Sequence, residues 1–180
     1  MKKLLTLVIA SASLAALPAM AANDGSLGAT STGDLDINLT VSDIVQISKL
    51  TDITLAQNAG GGAEGTSTAC VYANGDGKYN LLIAGSSDAN GDTLQLNENG
   101  VGTSTVDYSV DFSDGTASTS TTTSLVGAAN AVSGFTGNAT SADCAGGTNA
   151  TISVSVAAAD YQAAVVGTYS DTLVLTVAPE

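Results

Sequence analysis

The sequence predicts an all-β protein built as a two-sheet sandwich. Three observations carry that expectation. Alternating apolar and polar runs rich in Val, Ile, Leu and Thr recur along the chain. Clusters of Gly, Asn and Asp separate them at close spacing, and no segment beyond the first two dozen residues sustains a helical period. Bulky side chains are scarce, with no Trp and two Phe in 180 residues. The expected core is therefore one of small aliphatic residues.

The first residues are read as processing signal. Lys2 and Lys3 precede an apolar run from Leu4 to Leu17, and Ala19 and Ala21 supply the small residues of a cleavage site. The run is shorter than the roughly 20 residues a membrane-spanning helix needs. The sequence thus divides into a signal peptide at 1–21, a small polar and flexible segment at 22–33, and a single β-sandwich domain at 34–180. Export through a cleaved signal places the chain in the periplasm, on the cell surface or in an extracellular fibre.

Within the domain, Leu35, Ile37, Leu39 and Val41 alternate with Asp34, Asp36, Asn38, Thr40 and Ser42, a half-buried strand pattern. Ile44–Ile47 and Asp52–Leu55 are short apolar pieces read as two further strands. Ala59–Gly65 reads as a flexible glycine-rich loop. Thr68–Ala73 and Tyr79–Ala84 flank the turn Asn74-Gly-Asp-Gly77, which has strong hairpin chemistry. Thr93–Leu96 follows another turn. Val106, Tyr108, Val110 and Phe112 then mark one face of a strand at Val106–Phe112. Ser118–Ser124 is a strand edge or a loop, and Ala128–Thr140 is irregular. Asn149–Val156 is a clean strand, Ala157–Val166 a linker with at most one helical turn. Last, Tyr169, Asp171, Leu173, Leu175 and Val177 share one face of a terminal strand. The sum is roughly eight to ten strands, as a single sandwich requires.

Charge narrows the partners. Seventeen acidic residues face four lysines, for a net charge of −13; losing Lys2 and Lys3 with the signal moves it to −15. Phosphate backbones and anionic lipid surfaces would repel such a chain, so nucleic acid and membrane-surface partners are not expected. Catalytic groups are equally thin. The sequence has no His, so imidazole-based triads and metal sites are ruled out, and neither Lys49 nor Lys78 lies in a nucleophile motif. Paired carboxylates such as Asp34/Asp36 and Asp107/Asp111 sit on polar strand faces. Asp88–Asp92 opens like a calcium loop, but Thr93 stands where such a loop needs Gly and Asn99 where it needs Glu. No enzyme activity, metal or cofactor is expected. The two cysteines, Cys70 and Cys144, form an even pair in an exported chain and are expected to be disulfide-bonded.

The early alternating strand, the Cys-bearing strand, and the late Cys144 followed by Asn149-Ala-Thr-Ile-Ser-Val154 resemble parts of bacterial pilin-like proteins. So does the Gly167-Thr-Tyr-Ser-Asp-Thr-Leu-Val-Leu-Thr-Val177 terminus. The nearest groups are the spore coat protein U type and subunits of chaperone–usher pili. The resemblance implies an immunoglobulin-like sandwich lacking one strand, supplied first by a periplasmic chaperone and then by a like subunit delivered through an usher. Under it, Tyr169, Leu173, Leu175 and Val177 would line the receiving groove. Leu35, Ile37, Leu39 and Val41 are either the donated strand or the domain's own first strand.

Two readings of function follow. The first is a non-enzymatic exported structural or adhesive subunit that assembles by strand exchange. The alternative is a self-complete secreted sandwich: a module that binds carbohydrate or protein, or a surface-layer component.

Overall fold

The computed structural model describes residues 23–85, 91–99 and 104–180. The signal peptide expected at 1–21, and most of the Asp88–Asp92 turn, lie outside the described residues. The described residues fall into two units, divided between Val41 and Ser42.

In chain order, the second unit contains β1 (Val45–Ser48), β2 (Ala56–Gln57), β3 (Ala63–Ala73), β4 (Lys78–Gly85), β5 (Gln95–Glu98) and β6 (Thr105–Asp107). It continues with β7 (Ser109–Ser113), β8 (Ser118–Thr121), β9 (Val132–Thr136), β10 (Ala150–Val156), a short helix α1 (Ala158–Ala163), β11 (Tyr169–Ser170) and β12 (Leu173–Pro179). The fold is an all-β sandwich of three antiparallel sheets. The largest has the order β1-β3-β10-β7-β8 with β2 also on β3; the others are β11-β5-β6 and β12-β4-β9.

Strand β10 shows why these residues make a sheet. Ala150, Ile152, Val154 and Val156 are buried while Thr151, Ser153 and Ser155 face outward, so alternation maps directly onto the two faces. It pairs with β3 on one side (Ile152 opposite Ser67) and β7 on the other (Ile152 opposite Phe112). The turn expected to close a hairpin at Asn74–Gly77 instead carries the chain from one sheet to another, since β3 and β4 pair with different neighbours. Gly75 and Gly77 take φ of 68° and 77° there, values open to glycine at little cost.

The core joins side chains of all three sheets, among them Val71, Leu81, Ile83, Val110, Ile152 and the half-buried Leu96 and Leu175. It is not purely aliphatic, however. The three largest fully buried side chains are Tyr79, Phe112 and Phe135. Tyr79 stacks on Phe135 at 5.6 Å between centroids, and Phe112 meets Phe135 edge-on at 5.2 Å. Few aromatics are present, yet three of them fill the centre, where ring area counts most.

Several strand expectations change. Val106–Phe112 is two strands, β6 pairing with β5 and β7 with β10, broken at Tyr108. Alternation hides the break because Val106, Tyr108, Val110 and Phe112 all remain buried. The terminal strand likewise switches sheet at Asp171–Thr172, from Tyr169 opposite Glu98 to Leu173 opposite Gly85. β9 lies within the stretch expected to be irregular, and β3 begins at Ala63 inside the expected glycine loop.

In the first unit, Asn23 and Asp34 exchange backbone hydrogen bonds of 2.9 and 3.1 Å, closing the intervening residues into a loop. Beyond that bridge residues 35–41 belong to no strand. A two-residue period gives a strand only where a neighbour supplies ladder bonds. The expected strand at Asp34–Ser42 is therefore absent, and Leu35, Ile37, Leu39 and Val41 are 68%, 89%, 85% and 73% exposed.

Candidate functional site: an open sheet edge and its trough

β12 is hydrogen-bonded to β4 along one side, from Leu173 opposite Gly85 to Pro179 opposite Tyr79. Along its other side no strand pairs with it among the described residues. Such an edge presents a row of backbone donors and acceptors ready for another chain. Leu173, Leu175 and Val177 point to the core but are only half-buried, while Val174, Thr176 and Ala178 face out.

The opposite wall is residues 50–55. They lie beside β3 where its ladder is interrupted: β1 covers Cys70–Ala73 and β2 covers Ala63 and Glu64. Residues expected to form a strand at Asp52–Leu55 instead run past Gly65–Ala69 without a ladder. One tie holds them there. The Thr51 N–H donates to Ser67 Oγ at 3.1 Å, and the two hydroxyls lie 3.0 Å apart. Ser67 is buried, and this pairing explains a hydroxyl in an otherwise apolar face.

Between the wall and β12 lies a cavity of about 300 Å³. Leu50, Ile53 and Leu55 form one side, Leu173 and Leu175 the other, and Tyr108, Ile152 and Val154 the floor. It runs on into a second cavity of about 680 Å³ that shares Ile53, Leu55, Leu96 and Asp171 and reaches Tyr161, Val165 and Tyr169. The lining is mixed, the aliphatic side chains being joined by Thr51, Asp52, Ser67, Asp171 and Thr172. Asp171 is held by Tyr108, whose hydroxyl donates to Oδ2 at 2.7 Å, and by the Thr172 N–H at 2.8 Å to Oδ1.

Two further devices shape the wall. Gly65 sits so close to it that a Cβ there would stand 2.7 Å from both Ile53 Cγ2 and the Thr54 carbonyl oxygen. Lys49, where the chain leaves β1, takes φ 62°. That left-handed conformation costs a non-glycine residue about 1 kcal/mol. Its ammonium donates to the carbonyl oxygens of Asp143 at 2.7 Å and Gly147 at 2.9 Å. Those residues flank Cys144, which is disulfide-bonded to Cys70 with Cα atoms 5.8 Å apart. The Asp143 carboxyl is held below the usual range, first by the Ser141 hydroxyl, then by the Ala145 N–H and Lys49.

Of the sequence-singled residues, Leu173 and Leu175 line the first cavity and Tyr169 the second, while Val177 packs on the core below them. Leu35, Ile37, Leu39 and Val41 belong to the other unit. The trough's far wall, its floor, Gly65 and Lys49 were not singled out for function. The apolar spacing of Leu50, Ile53 and Leu55 was the available signal, and it reads equally well as an ordinary strand.

No protein-family model matches the chain, and no curated protein matches it. Among solved structures it is similar to a chain from a study titled "Chaperone-tip adhesin complex is vital for synergistic activation of CFA/I fimbriae biogenesis", with a TM-score of 0.51 at 11% identity. The match covers 76% of this chain and 42% of that one, so this chain spans less than half the length of its neighbour. At that identity the likeness is one of fold.

Proposed function

We propose that this protein is a non-enzymatic, exported, pilus-related subunit whose trough receives an extended strand from another copy. The observation that carries the reading is the unpaired side of β12 facing Leu50, Ile53 and Leu55 across a trough floored by Ile152 and Val154. An incoming strand would add backbone hydrogen bonds to β12 and drop every second side chain among Leu173, Leu175, Ile152 and Val154. Residues 35–41 have the matching form: four apolar side chains at two-residue spacing, all exposed, in a segment that belongs to no strand. Each such side chain contributes about 1.5–3 kcal/mol when buried.

The fold likeness to a chain from a chaperone–tip adhesin study supports the pilus-related class. By extension, a periplasmic chaperone would cover the trough before assembly, and an usher would pass subunits from one partner to the next. A disulfide closing a span of 74 residues fits an oxidising compartment outside the cytoplasm.

Size exclusion and electrophoresis in SDS without heating test this reading. The full chain is expected to form a ladder of multimers that collapses on boiling. Deletion of residues 34–41 should leave a monomer of undiminished stability. A full chain that stays monomeric at all concentrations would favour the self-complete sandwich instead.

A further inference from the structure

We propose that Lys49 is the positioning residue of the trough, setting the wall at residues 50–55 by tying it to the disulfide loop; this rests on the strand-receiving reading above. Lys49 is the last residue before the wall, following β1 directly. Its φ of 62° turns the chain off the β3 edge, so the course of Leu50–Leu55 depends on keeping that left-handed geometry. Backbone conformations of this kind persist where the surroundings enforce them.

The enforcement is visible on the other side of the contact. Cys144, Ala145 and Gly146 have φ of 51°, 51° and 86°, a left-handed run. It leaves the carbonyls of Asp143 and Gly147, on either flank, as the two acceptors of the Lys49 ammonium. The run is anchored in turn by the Cys70–Cys144 bond, and Cys70 belongs to β3, where Ser48 pairs with it. Chain, ammonium, loop and disulfide therefore close a circuit around the bottom of the wall. Beyond it, Thr51–Ser67 is the next tie.

Lys49 is exposed, and water competes for its ammonium. Its effect is accordingly on the local course of the wall and not on global stability. That separates a positioning role from a merely structural one. The test uses the full chain, with Lys49→Asn and Lys49→Arg variants. Asn tolerates the left-handed backbone, so Lys49→Asn folds while losing the ammonium. Arg keeps a cation.

Two readouts are taken. The first is hydrogen exchange at the Thr51 amide, the wall amide bonded to Ser67: we expect exchange about tenfold faster in Lys49→Asn, with β4 and β10 unchanged and Lys49→Arg close to the parent. The second is the rate at which a fluorescent peptide of residues 34–42 is captured, expected to fall about tenfold in Lys49→Asn and to recover in Lys49→Arg. Unchanged exchange at the wall in Lys49→Asn overturns the inference, whatever the peptide does. Altered exchange with no peptide captured even by the parent leaves Lys49 as the wall's anchor and removes the strand-receiving reading instead.

Discussion

Gly65 and Ile53 are in contact that no larger residue at position 65 can share: a Cβ there would lie 2.7 Å from Ile53 Cγ2. The same Cβ would meet the Thr54 carbonyl at 2.7 Å, and a backbone oxygen cannot rotate away as a side chain can. Gly65→Ala is thus expected to push residues 53–55 off β3 and destabilise the fold by about 1–3 kcal/mol. Urea denaturation measures the loss. A variant as stable as the parent would mean that the wall shifts freely.

The Cys70–Cys144 bond is expected to contribute about 4 kcal/mol through the unfolded state, given a closed span of 74 residues. Equilibrium unfolding with and without a thiol reductant checks this. A midpoint that does not move on reduction would show that the loop at Ser141–Gly147 is held by its hydrogen bonds alone.

Tyr79 carries the one buried side-chain polar atom with no hydrogen-bond partner among the described residues. Burial, with a smaller effect from Asp114, pushes its hydroxyl far above the ordinary tyrosine value. Replacing it by Phe keeps the stacking on Phe135 and removes the unpaired group. Tyr79→Phe is expected to raise stability by about 1 kcal/mol, read from the thermal midpoint.

In the turn between β7 and β8, the Asp114 carboxylate is the acceptor for several backbone N–H groups. Burial raises its carboxyl, but backbone N–H groups of Ala117, Thr136 and Thr116, with the Thr116 hydroxyl, outweigh that and hold it below its ordinary value. A carboxyl lowered in the folded state adds stability that is present above its unfolded value, about 3.9, and lost as pH falls through the folded one. Stability is expected to drop below about pH 4, and Asp114→Asn should flatten the part of that drop due to this group. Denaturation midpoints between pH 2 and pH 7 (roughly the range over which carboxylates titrate) decide it.

Much of this architecture was legible from spacing. The faces of β10, β4 and β12 follow from alternation because each is covered on one side only. Sheet changes at Tyr108 and Asp171 were not legible, since a strand that crosses between sheets around one core keeps the same inward face. The strand at Asp34–Ser42 failed for the opposite reason. Its pattern is sound, but alternation specifies which face would be buried and not whether a partner is there to bury it. Nor could spacing separate Leu50–Leu55 as a wall from a paired strand, because what distinguishes them is a gap in the ladder of β3. Lys49 was invisible: its backbone angle and its two carbonyl partners, more than ninety residues away, are consequences of the fold.

In the proposed assembly the unpaired side of β12 receives residues 34–41 of another copy. Hydrogen exchange compared between isolated monomer and multimer tests it most directly. Strand exchange predicts that amides of 35–41 and of β12 gain protection together in the multimer, while β7 and β10 stay as they were. Multimers in which residues 35–41 exchange as fast as in the monomer would contradict it.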